Sequence, residues 1–193
     1  MKQIKVDYKN VFYPPGGILI WILILLELIT FGAALIGLAV SSRENPELFH
    51  KSRLMLNVFF GATNTLFLLT SGYFMAVAMR SLKQNNFQRT LFFMKLAMSG
   101  GLLFIVLKGV EYFQKFSHGI TLGYNTFFNF YWLLTGFHVI HVVVGLILLL
   151  FIYFGLKKRK GDYDVLDAEA GAAFWHMCDL IWLLLFPMLY LVL

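Results

Sequence analysis

Five long apolar runs constrain this chain more than any other feature: Ile18–Val40, Leu54–Met79, Leu91–Tyr112, Thr126–Leu156 and Ala168–Leu193. Each reaches the ~20 residues that a helix needs to cross ~30 Å of hydrocarbon. Inside lipid every backbone amide and carbonyl must be satisfied within the protein, which leaves helices and closed barrels. Barrel strands read as short alternating segments, whereas these runs are apolar all round. The expected fold is therefore all-α, a single membrane domain over residues 1–193 with five transmembrane helices. Composition agrees, with 13% charged residues and 60% hydrophobic ones, against about 25% charged in an average soluble chain. The fourth run is long enough to tilt or to project beyond the bilayer.

The connections are polar and short. Pro14, Pro15, Gly16 and Gly17 launch the first helix, and Ser41–Arg53, holding Pro46, is read as a polar connection. Ser81–Thr90 and Ser117–Tyr124 are turns, and Lys157–Asp167, interrupted by Gly161, is a solvated loop. The first run is too long for the apolar segment of a cleavable signal peptide, so none is expected. Lysines and arginines set the sidedness. The N-terminus (Lys2, Lys5, Lys9), second loop (Arg80, Lys83, Arg89) and fourth loop (Lys157, Lys158, Arg159, Lys160) hold ten of them, against four (Arg43, Lys51, Arg53, Lys115) on the other side. This predicts a cytoplasmic N-terminus and a C-terminus outside.

The single cysteine, Cys178, excludes an internal disulfide, a four-cysteine zinc site and a thiolate-held iron–sulfur cluster built by this chain alone. No basic face interleaved with polar residues suggests nucleic acid. The informative residues are the polar ones inside the runs, because a charge at mid-bilayer costs ~2.5–3.5 kcal/mol even on a lenient scale. Glu27 lies near the middle of the first run and Asn64, between Thr63 and Thr65, near the middle of the second. His138 and His141 share one helical face in the fourth, as do His176 and Asp179 in the fifth and Lys108 and Glu111 near the outer end of the third.

Each position has two readings. Glu27 is either a neutral, hydrogen-bonded acid locking helices together or a member of a proton relay. It is expected to face other helices, near Asn64 or a histidine of the fourth or fifth helix. His138 and His141 cannot be the two axial ligands of one haem, which must approach from opposite sides of the ring, so interhelical hydrogen bonding is favoured. His176, Asp179 and Trp182 form either a redox or proton site or a packing triad. Lys108 with Glu111 is read as a membrane-edge ion pair whose lysine snorkels. Glycines, among them Gly32, Gly61, Gly72, Gly100, Gly101, Gly136 and Gly145, mark expected helix contacts.

Several strings then coincide. Thr135-Gly136-Phe137-His138-Val139-Ile140-His141-Val142, followed by Gly145, resembles the TGFHxxHVxxG signature of haem-copper oxidase (cytochrome c oxidase) subunit III. In the same order, Glu27 sits in ELITFG, Asn64-Thr65 precede LLTSG, Glu111-Tyr112 resembles the family's EY pair, and Trp175-His176-xx-Asp179-xx-Trp182 its terminal WHxxDxxW helix. The whole resembles the five-helix form of the family. The resemblance implies a non-catalytic subunit beside the catalytic haem-copper subunit I and other subunits of a respiratory terminal oxidase fed by cytochrome c or quinol. It implies phospholipid binding, support of O2 access, assembly and sustained proton uptake, and a multi-pass location in a bacterial cytoplasmic membrane. Haem and copper belong to the partners, with no metal or cofactor held by this chain. A nitric oxide reductase accessory and a stand-alone proton-coupled channel using Glu27, His138 and His141 are the alternatives.

Overall fold

The computed structural model describes residues 16–159 and 165–192. Lys2, Lys5, Lys9, Pro14, Pro15, Lys160 and Gly161 lie outside the described residues. The chain runs as α1 (Ile18–Glu44), α2 (Pro46–Leu54), α3 (Val58–Lys83), α4 (Phe87–Ser117), α5 (Thr126–Arg159) and α6 (Val165–Pro187), and a π-helical turn, Met188–Val192, extends α6. Five helices, namely α1, α3, α4, α5 and α6 with its extension, are long and apolar enough to cross a membrane. All five expected spans are present.

The segment expected to be a polar connection, Ser41–Arg53, is mostly helical. Helix α1 continues to Glu44, and Pro46, which has no amide to offer α1's ladder, takes the first position of α2. Helix α2 is amphipathic: Phe49 and Ser52 are buried while Glu47 and Lys51 are exposed. The second span accordingly begins at Val58, not Leu54, with Asn57 Oδ1 accepting from the amide of Phe59 at 3.0 Å. At the other end, Pro187 removes one amide from the ladder and the residues after it take the wider register.

Helices α3, α4, α5 and α6 pack in a ring, each against the next and α6 back against α3, while α1 lies outside against α5 and α6. Lipid gives helices no hydrophobic reason to associate, so close packing and interhelical hydrogen bonds must do it. Trp175 of α6 supplies both. Its ring fills the space that a Cβ at Gly101 of α4 and Gly145 of α5 would need, 2.5 and 2.9 Å away. Its Nε1 donates to Ser71 Oγ at 3.0 Å, and that hydroxyl donates to the carbonyl of Ala97 at 2.6 Å, so α3, α4 and α6 meet at one side chain. Gly32 and Gly136, expected at contacts, have open space where a Cβ would stand. Helix α1 is the least enclosed span, with Ile29 62% and Ile36 67% exposed.

Candidate functional site

Two polar clusters occupy the interior. The first joins α1 to α5. Glu27 Oε1 lies 3.2 Å from His141 Nε2, with only 13% and 11% of the two side chains exposed. One turn back, the carbonyl of Phe137 is 2.8 Å from His141 Nδ1, which can only be a donor there. Nδ1 is therefore the donor to that carbonyl, and Nε2 is the nitrogen that faces Glu27. Glu27 Oε2 is buried with no hydrogen-bond partner among the described residues. Phe31 of α1 closes the cluster, its ring edge-on to His141 at 5.7 Å and tilted against Phe137 at 5.3 Å.

His138, on the next turn of α5, does not join this pair. It is fully buried, and neither ring nitrogen has a hydrogen-bond partner among the described residues. Instead it stacks on Trp182 of α6 at 5.3 Å and meets Phe104 of α4 edge-on at 5.6 Å. Asn64 of α3 is likewise fully buried, with both amide atoms unpartnered among the described residues. The structure thus brings Glu27 and His141 together and leaves Asn64 and His138 as buried polar groups without partners, a situation that ordinarily costs ~1–3 kcal/mol.

The second cluster centres on Lys108. The expected ion pair is there, Lys108 Nζ to Glu111 Oε2 at 2.9 Å, but the lysine does not snorkel: it is fully buried within the bundle. Its ammonium also donates to Tyr190 Oη at 2.7 Å and to Tyr131 Oη at 3.3 Å, and both phenols donate onward to Glu111 Oε1, at 2.6 and 2.9 Å. Three ammonium protons find three oxygens, and the carboxylate receives three donors. The rings of Tyr112, Tyr131, Trp182 and Tyr190 surround the ammonium at 4.9–5.3 Å. These interior acceptors, reached only after folding, are what a reading of α4 by itself lacks. Tyr190 reaches them because Gly61 of α3 leaves room for Phe186 and Tyr190, whose atoms would lie 2.7–3.0 Å from a Cβ there.

His176 and Asp179 also meet, Nδ1 to Oδ2 at 3.4 Å, with the histidine side chain 45% exposed and the carboxyl nearly enclosed. Gly72 of α3 makes the space for that carboxyl, since a Cβ there would collide with Asp179 Oδ2. Trp182 turns away from this pair and donates through Nε1 to Thr65 Oγ1 at 3.0 Å. Tyr131, Tyr190 and Ser71 are the members that sequence reasoning missed. A signal existed for Tyr131: with Thr135, His138, Val142, Gly145 and Leu149 it falls on one face at alternating spacings of four and three, and that face of α5 is buried. No group of three His, Cys, Asp or Glu side chains that could hold a metal ion occurs among the described residues.

Comparison with known proteins adds the family. The model of the cytochrome c oxidase subunit III family matches residues 56–192. A probable cytochrome c oxidase subunit 3 of Rickettsia conorii is 35% identical over 136 residues, covering 66% of this chain and 45% of that protein. Cytochrome c oxidase subunit 3 of Rhipicephalus sanguineus is 33% identical over 131 residues, 66% of this chain and 49% of that protein. The chain spans about half the length of the curated relatives it matches. The family match takes in the Lys108 cluster, Asn64, both α5 histidines and the His176–Asp179 pair, whereas Glu27 lies N-terminal to it. With four of its five spans inside that match, this chain is a member of the cytochrome c oxidase subunit III family.

Proposed function

We propose that this chain serves as the non-catalytic subunit III of a haem-copper terminal oxidase, set beside the catalytic subunit in a bacterial cytoplasmic membrane with its N-terminus in the cytoplasm. The observation that carries the reading is the family match running through α3, α4, α5 and α6. The interior supports it. The largest buried polar cluster is closed on itself, as suits a scaffold. The haem, copper and electron donor, cytochrome c or quinol, belong to partner subunits.

Glu27 and His141 tie α1, the least enclosed span, to α5 through a carboxyl–imidazole contact. In this reading they hold a peripheral helix in place for the partner and sustain turnover by keeping that surface intact. Purification of the tagged chain with its neighbours tests the proposal. A large haem-containing chain co-purifies if it is right, and recovery as a stable lone monomer refutes it. Replacement of Glu27 by Ala is expected to impair assembly or sustained turnover while sparing the haem spectrum of the partner. Loss of that spectrum would assign Glu27 a different role.

A further inference from the structure

Where α3 and α6 meet on the outside of the bundle, hydrogen-bonding side chains are exposed at a depth where hydrocarbon offers them nothing. Tyr73 of α3 is 65% exposed, and its hydroxyl has no hydrogen-bond partner among the described residues. The His176 side chain of α6 is 45% exposed; with Nδ1 turned to Asp179, Nε2 is left without a partner among them. The two stand at one level, because a Cβ on Gly72, the neighbour of Tyr73, would lie 3.5 Å from His176 Nδ1. Tyr73 comes ten residues before Lys83, the end of α3, or ~15 Å at ~1.5 Å per residue. The 26 residues of α3 extend ~39 Å against ~30 Å of hydrocarbon, which puts Tyr73 ~10 Å below the boundary. Helical side chains lean toward the N-terminus, which for α3 is the far end, so the hydroxyl is carried deeper and not back to the nearer surface. Between Tyr73 and the basic end runs an open groove of about 540 Å3, walled by Ala76, Ala172 and Ala173 and edged by Arg80. Arg80 is exposed, and no acid among the described residues answers its charge.

We propose that α3 and α6 receive a transmembrane helix of another subunit, one that carries a carboxylate near the basic end and, about seven residues deeper on the same face, a hydroxyl or carboxamide side chain. The proposal rests on the reading of this chain as one subunit of a membrane assembly and says what a neighbour must bring. Arg80 and Tyr73 are seven residues apart on one face of α3, and a helix laid alongside rises by the same ~1.5 Å per residue, so its answering groups repeat that spacing. The carboxylate is the complement of the unanswered guanidinium. A hydroxyl or carboxamide both donates and accepts, so it serves the Tyr73 hydroxyl and His176 Nε2 whichever tautomer the imidazole holds. The three alanines leave room for a helix backbone to come close, which is how helices associate when lipid gives them no other reason to. Acyl chains cannot replace such a helix at Tyr73, because the hydrocarbon interior holds no hydrogen-bonding groups.

The test uses the full chain in its native membrane, solubilised with the subunits that accompany it. A photoreactive benzoylphenylalanine at position 73 is irradiated there, and its adduct is mapped by peptide mass spectrometry. The expected adduct joins position 73 to an apolar segment of another subunit that holds a Ser, Thr, Asn or Gln at the cross-link and an Asp or Glu about seven residues away. Ala76→Trp fills the groove and should suppress that adduct. Tyr73→Phe should raise the apparent Kd of the cross-linked subunit, read from a dilution series, about threefold, the worth of one interhelical hydrogen bond in a membrane. Arg80→Ala should raise it by a similar factor. Adducts to lipid or detergent alone overturn the proposal, as does a cross-linked segment without those side chains, or an apparent Kd unchanged in all three variants. Haem absorption of the complex is read separately. A haem-bearing complex with no protein adduct at position 73 leaves the subunit III reading standing and removes this one, whereas an adduct of the expected pattern in a complex without haem does the reverse.

Discussion

The Lys108 cluster and the Glu27–His141 cluster are both buried, both ionisable and both pinned by α5, yet they are finished to different degrees. Around Lys108 every strong donor finds an oxygen, and Glu111 is saturated by one ammonium and two phenols. Around Glu27 one carboxylate oxygen has no partner among the described residues, and one turn from His141 a whole imidazole, His138, has none among them. A saturated network rigidifies and specifies one arrangement, whereas an unsaturated one retains capacity to bind or to exchange a proton. The difference separates a structural lock, inside the four-helix ring, from a contact at its periphery where the bundle meets α1. The following substitutions probe that separation.

The largest effect is expected at the lock. Lys108→Met leaves Glu111 as an uncompensated buried charge and should cost about 3–5 kcal/mol, enough to abolish accumulation of the folded chain. Replacing both partners, Lys108→Met with Glu111→Leu, should recover most of that loss, because the penalty comes from the orphaned charge more than from the lost attraction. Denaturant titration of the detergent-solubilised variants reads the difference. If the double variant is as unstable as the single one, the two tyrosines need the ion pair to order them and the lock extends beyond Lys108 and Glu111.

Tyr190→Phe is the milder attack on the same lock. It removes one acceptor from Lys108 and one donor from Glu111 while keeping the ring, and should cost about 2–3 kcal/mol, in the range for hydrogen bonds to charged groups. The π-helical turn should loosen with it, since Arg53 donating to the Leu191 carbonyl at 2.7 Å is then the long-range side-chain tie left to that turn among the described residues. Faster hydrogen exchange confined to Met188–Val192 would show this.

What the sequence made legible, and what it did not, follows the same division. The five spans were plain because lipid demands length and apolarity, and both can be counted. The pairs at i, i+3, Lys108 with Glu111 and His176 with Asp179, were plain because helical geometry alone brings such residues together. The cage around Lys108 was not. Tyr131 and Tyr190 are 23 and 82 residues away from it, and an aromatic residue in a membrane span reads equally well as a surface anchor. Lacking those oxygens, a lysine near a helix end was naturally read as snorkelling. Helix α2 was hidden for a different reason: nine mostly polar residues look like a loop until Phe49 has a core to enter.

At the unsaturated cluster, the two readings of Glu27 separate by the choice of substitution. Glu27→Ala leaves His141 Nε2 buried without a partner and should cost about 1–2 kcal/mol. Glu27→Gln keeps an amide that can donate to Nε2 while Nδ1 goes on donating to Phe137, so stability should return to within about 1 kcal/mol of the parent chain. Assembly and turnover then decide. If Gln restores them, the contact acts as a strut between α1 and α5. If Gln is stable yet turnover decays as with Ala, the carboxyl is needed as an acid and the relay reading is favoured.

The smallest effect is expected at His138, and its smallness is the informative part. Leu has nearly the volume of His and no polar atoms. His138→Leu therefore gives up the stack on Trp182 and the edge contact with Phe104 while relieving two unpartnered nitrogens. These terms oppose each other, and a volume-conserving change of this kind should stay within about 1.5 kcal/mol of the parent chain. The contrast with Lys108→Met, at a residue equally buried in the same bundle, isolates what hydrogen-bond saturation contributes. A loss of 3 kcal/mol or more at His138 would mean that its nitrogens are held in the assembled protein by a group outside this chain. Since His138 stands one turn from His141, that group would extend the Glu27–His141 contact inward to Trp182, and the peripheral cluster would have to be redrawn as a continuous polar path into the four-helix ring.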